Sequence, residues 1–172
     1  MTSTPLILMT LTHMLVVLAT LGVGAVYGTD VFFAAVGRRA LASASDAALT
    51  DVMGRLHEYG DARMPLFAAT GMVSTLGLVF AAHLGTAASS LALAAFVALI
   101  VHLSLYLTVS KPINARLTEA AHRMSAGDEA PSNARRLQDQ WDAVIVPRAL
   151  LLGFAVLCLA LAGCYTRVLP AG

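Results

Sequence analysis

The 172-residue sequence contains little charge, since only 12% of its residues are Asp, Glu, Lys or Arg, against about a quarter in an ordinary soluble domain. Aromatic residues are also few, at 6 Phe, 4 Tyr and 1 Trp, although 58% of the chain is hydrophobic. Ala, Leu and Val supply that apolarity, which is typical of helices that face lipid and pack closely. The formal net charge of +1 is too small to indicate a nucleic-acid partner.

Cysteine is nearly absent. Cys158 and Cys164 are the only two, and both lie in the last apolar stretch. Their spacing of six residues puts them about 240° apart around a helix, which is unfavourable for a mutual disulfide. A quinone-linked thiol oxidase needs a redox-active cysteine pair near a membrane surface, so the cysteine content argues against that class of enzyme.

Long apolar stretches are the main positive signal. A bilayer core about 30 Å thick requires about 20 apolar residues per helix. Four stretches meet this requirement, at residues 6–36, 64–83, 87–109 and 143–165. We therefore expect an all-α fold, an integral membrane four-helix bundle that forms a single domain over residues 1–172. The first stretch is too long for a perpendicular crossing and must tilt or project from the bilayer.

The two longer connections between these stretches are predicted to form amphipathic helices. Asp46 is expected to cap a helix with apolar residues at helical spacing, namely Leu49, Val52, Met53, Leu56 and Tyr59. In the second connection, Pro112 is expected to start a short helix that continues to about Ser125, before a turn at 127–133.

Basic residues predict the orientation. Ten of the eleven Lys and Arg residues lie in or beside the two longer connections, and Arg167 is the exception. The positive-inside rule places these connections in the cytoplasm and both termini outside, in a multi-pass protein of the cell membrane. Trp141, at the start of the fourth stretch, is expected to anchor that helix at the membrane interface.

Three ionisable residues are predicted to lie at membrane depth. Counting from the nearest basic residue places Asp30 and His102 roughly 12 and 13 Å below the cytoplasmic boundary. Arg148 reaches a similar depth from the fourth stretch, so an Asp30–Arg148 ion pair is one explanation of the buried carboxylate. Tyr106 lies one turn from His102 on the same helix face.

A metal centre is the other explanation. His57 and Asp61 lie four residues apart with Glu58 beside them, and together with Asp30 and His102 they would supply histidine and carboxylate ligands. Such ligands suit iron, manganese or zinc, and copper less clearly. Three alternatives stay open: the protein binds no metal, His57 and Asp61 lie on a solvated helix face, and His102 has a structural role.

The sequence resembles a known family at several points. Lys111-Pro112-Ile113-Asn114-Ala115-Arg116-Leu117 follows the third stretch, and the fourth opens with Trp141 and, seven residues later, Arg148. The long first helix ends near Phe32-Phe33-Ala34, and Arg63-x-Pro65 starts the second stretch. Over most of its length the chain is similar to the anthrone-oxygenase-like family of small four-span membrane proteins. The resemblance implies an oxidative activity on polycyclic aromatic anthrones.

The expected function is that of a membrane oxidoreductase or oxygenase. Its site would open toward the cytoplasm or inner leaflet and admit an apolar small molecule between helices. Asn114, Arg63 and Arg148 would orient the substrate or hold the metal ligands in place, Tyr106 would pass a proton or hydrogen atom, and without a cofactor His102 would be the base. The competing hypothesis is a non-enzymatic transporter or assembly subunit with a structural Asp30–Arg148 pair. In either case a homo-oligomer joined through small-residue faces is conceivable.

Overall fold

The computed structural model describes residues 3–166, with side chains from residue 7 onward, so Arg167 lies outside the described residues. Residues 3–166 form helices joined by short turns, and this part of the chain contains no strand. The predicted all-α fold is confirmed. The helices are α1 (Ser3–Phe32), α2 (Arg38–Ala42), α3 (Asp46–Ala81), α4 (Ala87–Leu105), α5 (Lys111–Ser125) and α6 (Ala134–Tyr165), with π-helical segments at Phe33–Gly37 and Tyr106–Ser110.

Four continuous helical stretches are long and apolar enough to cross a membrane, which agrees with the predicted multi-pass membrane protein. They cover Ile7–Ala42, Asp46–Ala81, Ala87–Ser125 and Ala134–Tyr165. Each is longer than the apolar stretch seen in the sequence, because the polar connecting segments continue the same helices. Pro65 lies inside α3 without ending it.

The start of α3 is capped differently from the prediction. Ser45 Oγ accepts a hydrogen bond from the Ala48 amide at 3.2 Å, so Ser45 and not Asp46 is the capping residue. Asp46 Oδ1 instead accepts a 2.7 Å hydrogen bond from Arg135 Nη2. The Arg135 guanidinium also donates to the backbone carbonyls of Leu41 in α2 and Ala44 in the turn before α3, which ties this part of the chain to the start of α6.

The chain divides into two compact units. The first contains α1 up to Tyr27, Leu66–Val101 and α6 from Leu150 onward. Small residues dominate its core, and the fully buried ones include Ala19, Ala92, Ala95, Ala155 and Ala162. A Cβ atom on Gly22 would lie 2.6 Å from the Gly71 backbone nitrogen. Two helix backbones thus approach closely in this unit because neither residue has a side chain.

The second unit contains Gly28–Pro65 and His102–Ala149. Its apolar core includes Leu49, Met53, Leu117, Trp141 and Ile145. The predicted α5 is confirmed, and it buries residues at helical spacing, namely Ile113, Asn114, Leu117, Ala120 and Ala121.

The predicted inward face of α3 is wrong in part. Val52, Leu56 and Tyr59 are exposed. The buried face follows a spacing of four residues, through Leu49, Met53 and His57. Each step of four residues turns the helix by about 40°, and Thr50 and Gly54 form a second buried row beside this one.

Candidate active site

A buried charged cluster lies in the second unit. Arg148 Nη2 donates a 2.9 Å hydrogen bond to Asp30 Oδ1, and His102 Nε2 lies 3.2 Å from Asp30 Oδ2. Arg148 Nη1 donates to Ser110 Oγ at 2.7 Å. The side chains of Asp30, Arg148 and His102 are only 4%, 8% and 11% exposed. The carboxylate is therefore paired with a cation and a histidine away from solvent.

The sequence correctly predicted that these three residues lie at one depth. The structure contains the Asp30–Arg148 ion pair and adds His102 to it, with Arg148 Nε at 3.4 Å from His102 Nε2. Ser110 was not identified as a site residue. A signal was available, because polar residues recur at every fourth position from His102 through Tyr106 and Ser110 to Asn114.

A second polar cluster surrounds the carboxylate of Asp61. Tyr106 Oη donates to Asp61 Oδ1 at 2.9 Å. Asn114 Nδ2 lies 3.0 and 3.2 Å from the two oxygens of the same carboxylate. Asn114 is buried, whereas Tyr106 and Asp61 are partly buried. Asp61 therefore fixes the orientation of one phenol and one amide.

Aromatic rings lie between these two clusters. The Trp141 ring packs against Phe33 with centroids 5.3 Å apart, and against His57 at 5.5 Å. Arg148 Cζ lies 5.9 Å from the Trp141 ring and 5.8 Å from the Tyr106 ring. The predicted interfacial anchor is wrong, because Trp141 is 4% exposed and belongs to the core.

Both π-helical segments begin close to the charged cluster. Phe33–Gly37 starts three residues after Asp30, and Tyr106–Ser110 starts four residues after His102. Single π-helical turns inside α-helices are frequent at functional sites. In the first segment, a Cβ atom on Gly37 would lie 2.6 Å from Phe33 Cδ1. The absence of a side chain at Gly37 therefore lets the Phe33 ring adopt the position in which it meets Trp141.

Comparison with known proteins identifies the family. The family model described as anthrone oxygenase matches residues 53–158. The chain belongs to the anthrone oxygenase family. No match to this chain was found among curated proteins or among solved structures. The matched range includes His102 and Arg148 but not their partner Asp30, which lies on α1.

The predicted metal centre does not fit the donor set in this member of the anthrone oxygenase family. Within residues 3–166, no three His, Cys, Asp or Glu side chains form a group that could hold a metal ion. Asp30 and His102 do meet, but both contact Arg148. A guanidinium at this position opposes a second cation electrostatically.

The other predicted ligands and Arg63 have separate environments. Asp61 is engaged by Tyr106 and Asn114 as described, whereas Glu58 pairs with His122 at 3.1 Å. Arg63 is exposed, and its Cζ lies 5.0 Å from the Tyr59 ring. Neither Glu58 nor Arg63 has a hydrogen bond to the charged cluster among the described residues.

An apolar groove of about 440 Å³ also lies in the second unit of this anthrone oxygenase family member. Residues around the start of α5 and the first half of α6 line it, among them Pro112, Ile113, Ala143 and Val144. The residues of the two polar clusters do not line this groove. It offers an apolar surface but no group for acid–base chemistry apart from the rim residue Arg116.

Proposed function

We propose that this protein is a membrane-embedded oxygenase that oxidises an apolar aromatic small molecule, with His102 as its general base. The observation that carries the proposal is the buried contact of His102 with Asp30 and Arg148, at 3.2 and 3.4 Å. Ionisable residues inside membrane proteins, paired in this specific way, are typical of functional sites. Membership of the anthrone oxygenase family supports the reaction type and the aromatic substrate class.

Asp30 determines which nitrogen of His102 acts as the base. A carboxylate only accepts hydrogen bonds, so the imidazole proton is assigned to Nε2, where it is donated to Asp30 Oδ2; in this tautomer the 3.4 Å approach of Arg148 Nε to Nε2 is a contact and not a hydrogen bond. The Nδ1 atom then carries the free electron pair. His102 is also the most accessible member of the cluster, at 11% side-chain exposure. Asp30 has the role that a carboxylate has beside a catalytic histidine, because it orients the ring and stabilises the imidazolium.

The charges of the cluster suit the removal of a proton from carbon. With His102 neutral, the charges of Asp30 and Arg148 cancel. Proton transfer to His102 creates an imidazolium and a substrate carbanion together, so the net charge of the site does not change. Arg148 adds a fixed positive charge that favours the anion in a site with little water.

The proposed reaction needs no external reductant. His102 removes a proton from a methylene carbon that is acidified by neighbouring aromatic rings and a conjugated carbonyl. The carbanion gives its electrons to dioxygen, a C–O bond forms, and the resulting peroxide anion takes the proton back from the His102 imidazolium to become a hydroperoxide. Loss of the second C–H proton with cleavage of the O–O bond releases water and leaves a ketone. One methylene group and one dioxygen molecule thus become one carbonyl group and one water molecule, and dioxygen accepts all four electrons.

The experiment uses the purified protein in lipid nanodiscs, with anthrone as the probe. Oxygen uptake and the absorbance of anthraquinone are followed in parallel. A general base contributes roughly 10²- to 10⁴-fold to a rate, so His102→Gln should lose activity by at least the lower figure. His122→Gln is the matched control, because His122 is exposed and pairs only with Glu58 among the described residues.

Two outcomes would contradict the proposal. One is a wild-type protein that takes up no more oxygen than empty nanodiscs, and the other is a His102→Gln variant as active as wild type. The first outcome would favour the second candidate function, a non-enzymatic transporter or assembly subunit, and the second would show that His102 is not the base. The specific observation in favour of that candidate is the Asp30–Arg148 ion pair, which would then serve only to hold helices together.

A further inference from the structure

Three buried polar atoms near Trp141 have no hydrogen-bond partner among the described residues. They are His57 Nε2, Asn114 Oδ1 and Trp141 Nε1. The three residues are 7%, 4% and 4% exposed. Leaving a buried donor or acceptor unpaired is costly, and in native proteins such atoms usually bind a water molecule or a ligand.

Two of these atoms belong to side chains in one closed circuit of contacts, and the third belongs to Asn114, which is hydrogen-bonded to that circuit. His57 and Asp61 lie one turn apart on α3, which closes the circuit. The order of contact in the circuit is His57, Trp141, Arg148, Tyr106 and Asp61, and Asn114 joins it through Asp61. The three unpaired atoms thus belong to buried side chains that are linked to one another by successive contacts inside the second unit.

The chemistry of the unpaired atoms restricts what binds there. Trp141 Nε1 only donates a hydrogen bond. Asn114 Nδ2 is bound to Asp61, which fixes Asn114 Oδ1 as the free acceptor. His57 Nε2 donates or accepts according to its tautomer. A carbonyl group would leave Asn114 unpaired, and an ammonium group would leave Trp141 unpaired. A hydroxyl group satisfies both.

We infer that His57, Asn114 and Trp141 form a binding site for a hydroxyl group. The hydroxyl belongs either to an aromatic substrate or to an ordered water molecule. It accepts from Trp141 Nε1 and donates to Asn114 Oδ1, with His57 Nε2 as the third partner. In the first case the inference rests on the proposed function and extends it, since the site would select substrates that carry a hydroxyl.

Trp141 is the only tryptophan in the chain, so its indole gives a single NMR signal from the site. The full chain, with ¹⁵N-labelled tryptophan, is studied in lipid nanodiscs. The two probes are 1-naphthol and 1-methylnaphthalene, which share a ring system and differ by a hydroxyl or a methyl group. At equal concentration in the lipid, 1-naphthol should shift the indole signal and bind about tenfold or more tightly.

Three variants identify the atoms responsible. Asn114→Leu removes the acceptor, and His57→Phe removes Nε2 but keeps a ring against Trp141; both should reduce the preference for 1-naphthol to about unity. Gln138→Leu is the matched control. Gln138 is also buried with an unpaired amide oxygen, but its Nε2 donates to Asp142 and not to the circuit. This variant should keep the preference.

The outcomes separate the two sources of the hydroxyl. A preference for 1-naphthol supports the substrate as the source. The ordered water is supported if both probes bind equally and cross-relaxation at the Trp141 indole proton detects a long-lived water. That water should be lost in Asn114→Leu. Equal binding without such a water overturns the inference, and the wild-type protein alone decides this.

A parallel titration of His102→Gln distinguishes failure of this inference from failure of the proposed function. His102 is not part of the circuit, so this variant should lose oxygen uptake and still bind 1-naphthol selectively. A wild-type protein that takes up no oxygen but prefers 1-naphthol would contradict only the proposed oxygenase function. An active wild-type protein with neither preference nor bound water would contradict only the hydroxyl site.

Discussion

The two units satisfy their buried polar groups in different ways. In the first unit, Thr12 Oγ1 donates to the Leu8 carbonyl at 2.9 Å and Thr75 Oγ1 donates to the Gly71 carbonyl at 2.7 Å. Both bonds remain within one turn of the same helix, whereas Ser89 Oγ on α4 donates to the Val79 carbonyl on α3 at 2.7 Å. In the second unit, the buried charges on α1, α4 and α6 bond to one another instead.

This difference indicates a division of roles. The buried hydroxyl groups of the first unit bond to backbone carbonyls, which every helix offers along its length, so this unit depends more on the close fit of small residues than on paired side chains. Bonds between side chains on different helices require each partner to have one position and orientation. The second unit therefore meets the condition for a catalytic or binding site, which is a fixed arrangement of polar groups.

The largest expected effect comes from breaking the buried ion pair of the second unit. Arg148→Met leaves Asp30 buried without its cation and should lower the free energy of unfolding by about 3–5 kcal/mol. The double variant Asp30→Leu with Arg148→Met should recover most of that loss, because apolar replacement of a buried pair is often neutral. Both proteins should be inactive in oxygen uptake. A double variant as unstable as Arg148→Met would show that the pair does not account for the loss.

An intermediate effect is expected from the close helix contact of the first unit. Gly22→Ala places a Cβ atom 2.6 Å from the Gly71 nitrogen, and the resulting overpacking should cost about 1–3 kcal/mol in thermal or denaturant unfolding. Oxygen uptake per folded molecule should be unchanged. Gly24→Ala is the control, since nothing lies within 4 Å of its Cβ position. Reduced uptake in folded Gly22→Ala protein would argue against a purely structural first unit.

A smaller effect is expected at the first π-helical segment. In Gly37→Ala the new Cβ atom would lie 2.6 Å from Phe33 Cδ1 and force the Phe33 ring to move. Overpacking of this kind lowers the free energy of unfolding by about 1–3 kcal/mol. Because the ring can move, we expect a loss near the lower limit. The contact of the ring with Trp141 should weaken, which is measurable as a shift in tryptophan fluorescence. Gly60→Ala provides the control, because its Cβ position is free of neighbours within 4 Å. An unchanged spectrum in Gly37→Ala would mean that Phe33 does not depend on this glycine.

No change in stability is expected from the substitution that tests orientation. Ser132 is exposed in the turn before α6, and the positive-inside rule predicts that this turn is cytoplasmic. In a background without Cys158 and Cys164, Ser132→Cys in intact cells should react with impermeant thiol reagents only after the membrane is opened. Labelling of Ser132→Cys in intact cells would show that the connections lie outside, which is the reverse of the predicted orientation.

The sequence was sufficient for properties that depend on position along a helix. Residue counts from the basic boundary predicted that Asp30, His102 and Arg148 share a depth, and the structure brings them together. Properties that depend on rotation about the helix axis were not predictable. Asp61 was expected beside a metal but faces Tyr106 and Asn114, because its partners depend on which helix faces meet.

Trp141 shows a second limit of sequence reasoning. A tryptophan at the polar end of an apolar stretch is typical of the membrane interface, and nothing in its neighbouring residues indicated otherwise. Its burial arises from Phe33 and His57, which are distant in the sequence and approach it only in the folded second unit. For a related reason the sequence could not show that Arg148 contacts two of the predicted metal ligands, Asp30 and His102.

The second π-helical segment sets the angular phase between the two polar clusters. In an uninterrupted α-helix, the twelve residues from His102 to Asn114 would leave these side chains about 120° apart around the axis. A π-helical turn takes up one extra residue, which reduces that angle to about 20°. The π-helical segment Tyr106–Ser110 thus rotates the side chains that follow it by the equivalent of one residue around the helix axis. It allows a single helical stretch to present His102 to one carboxylate and Asn114 to another from the same side.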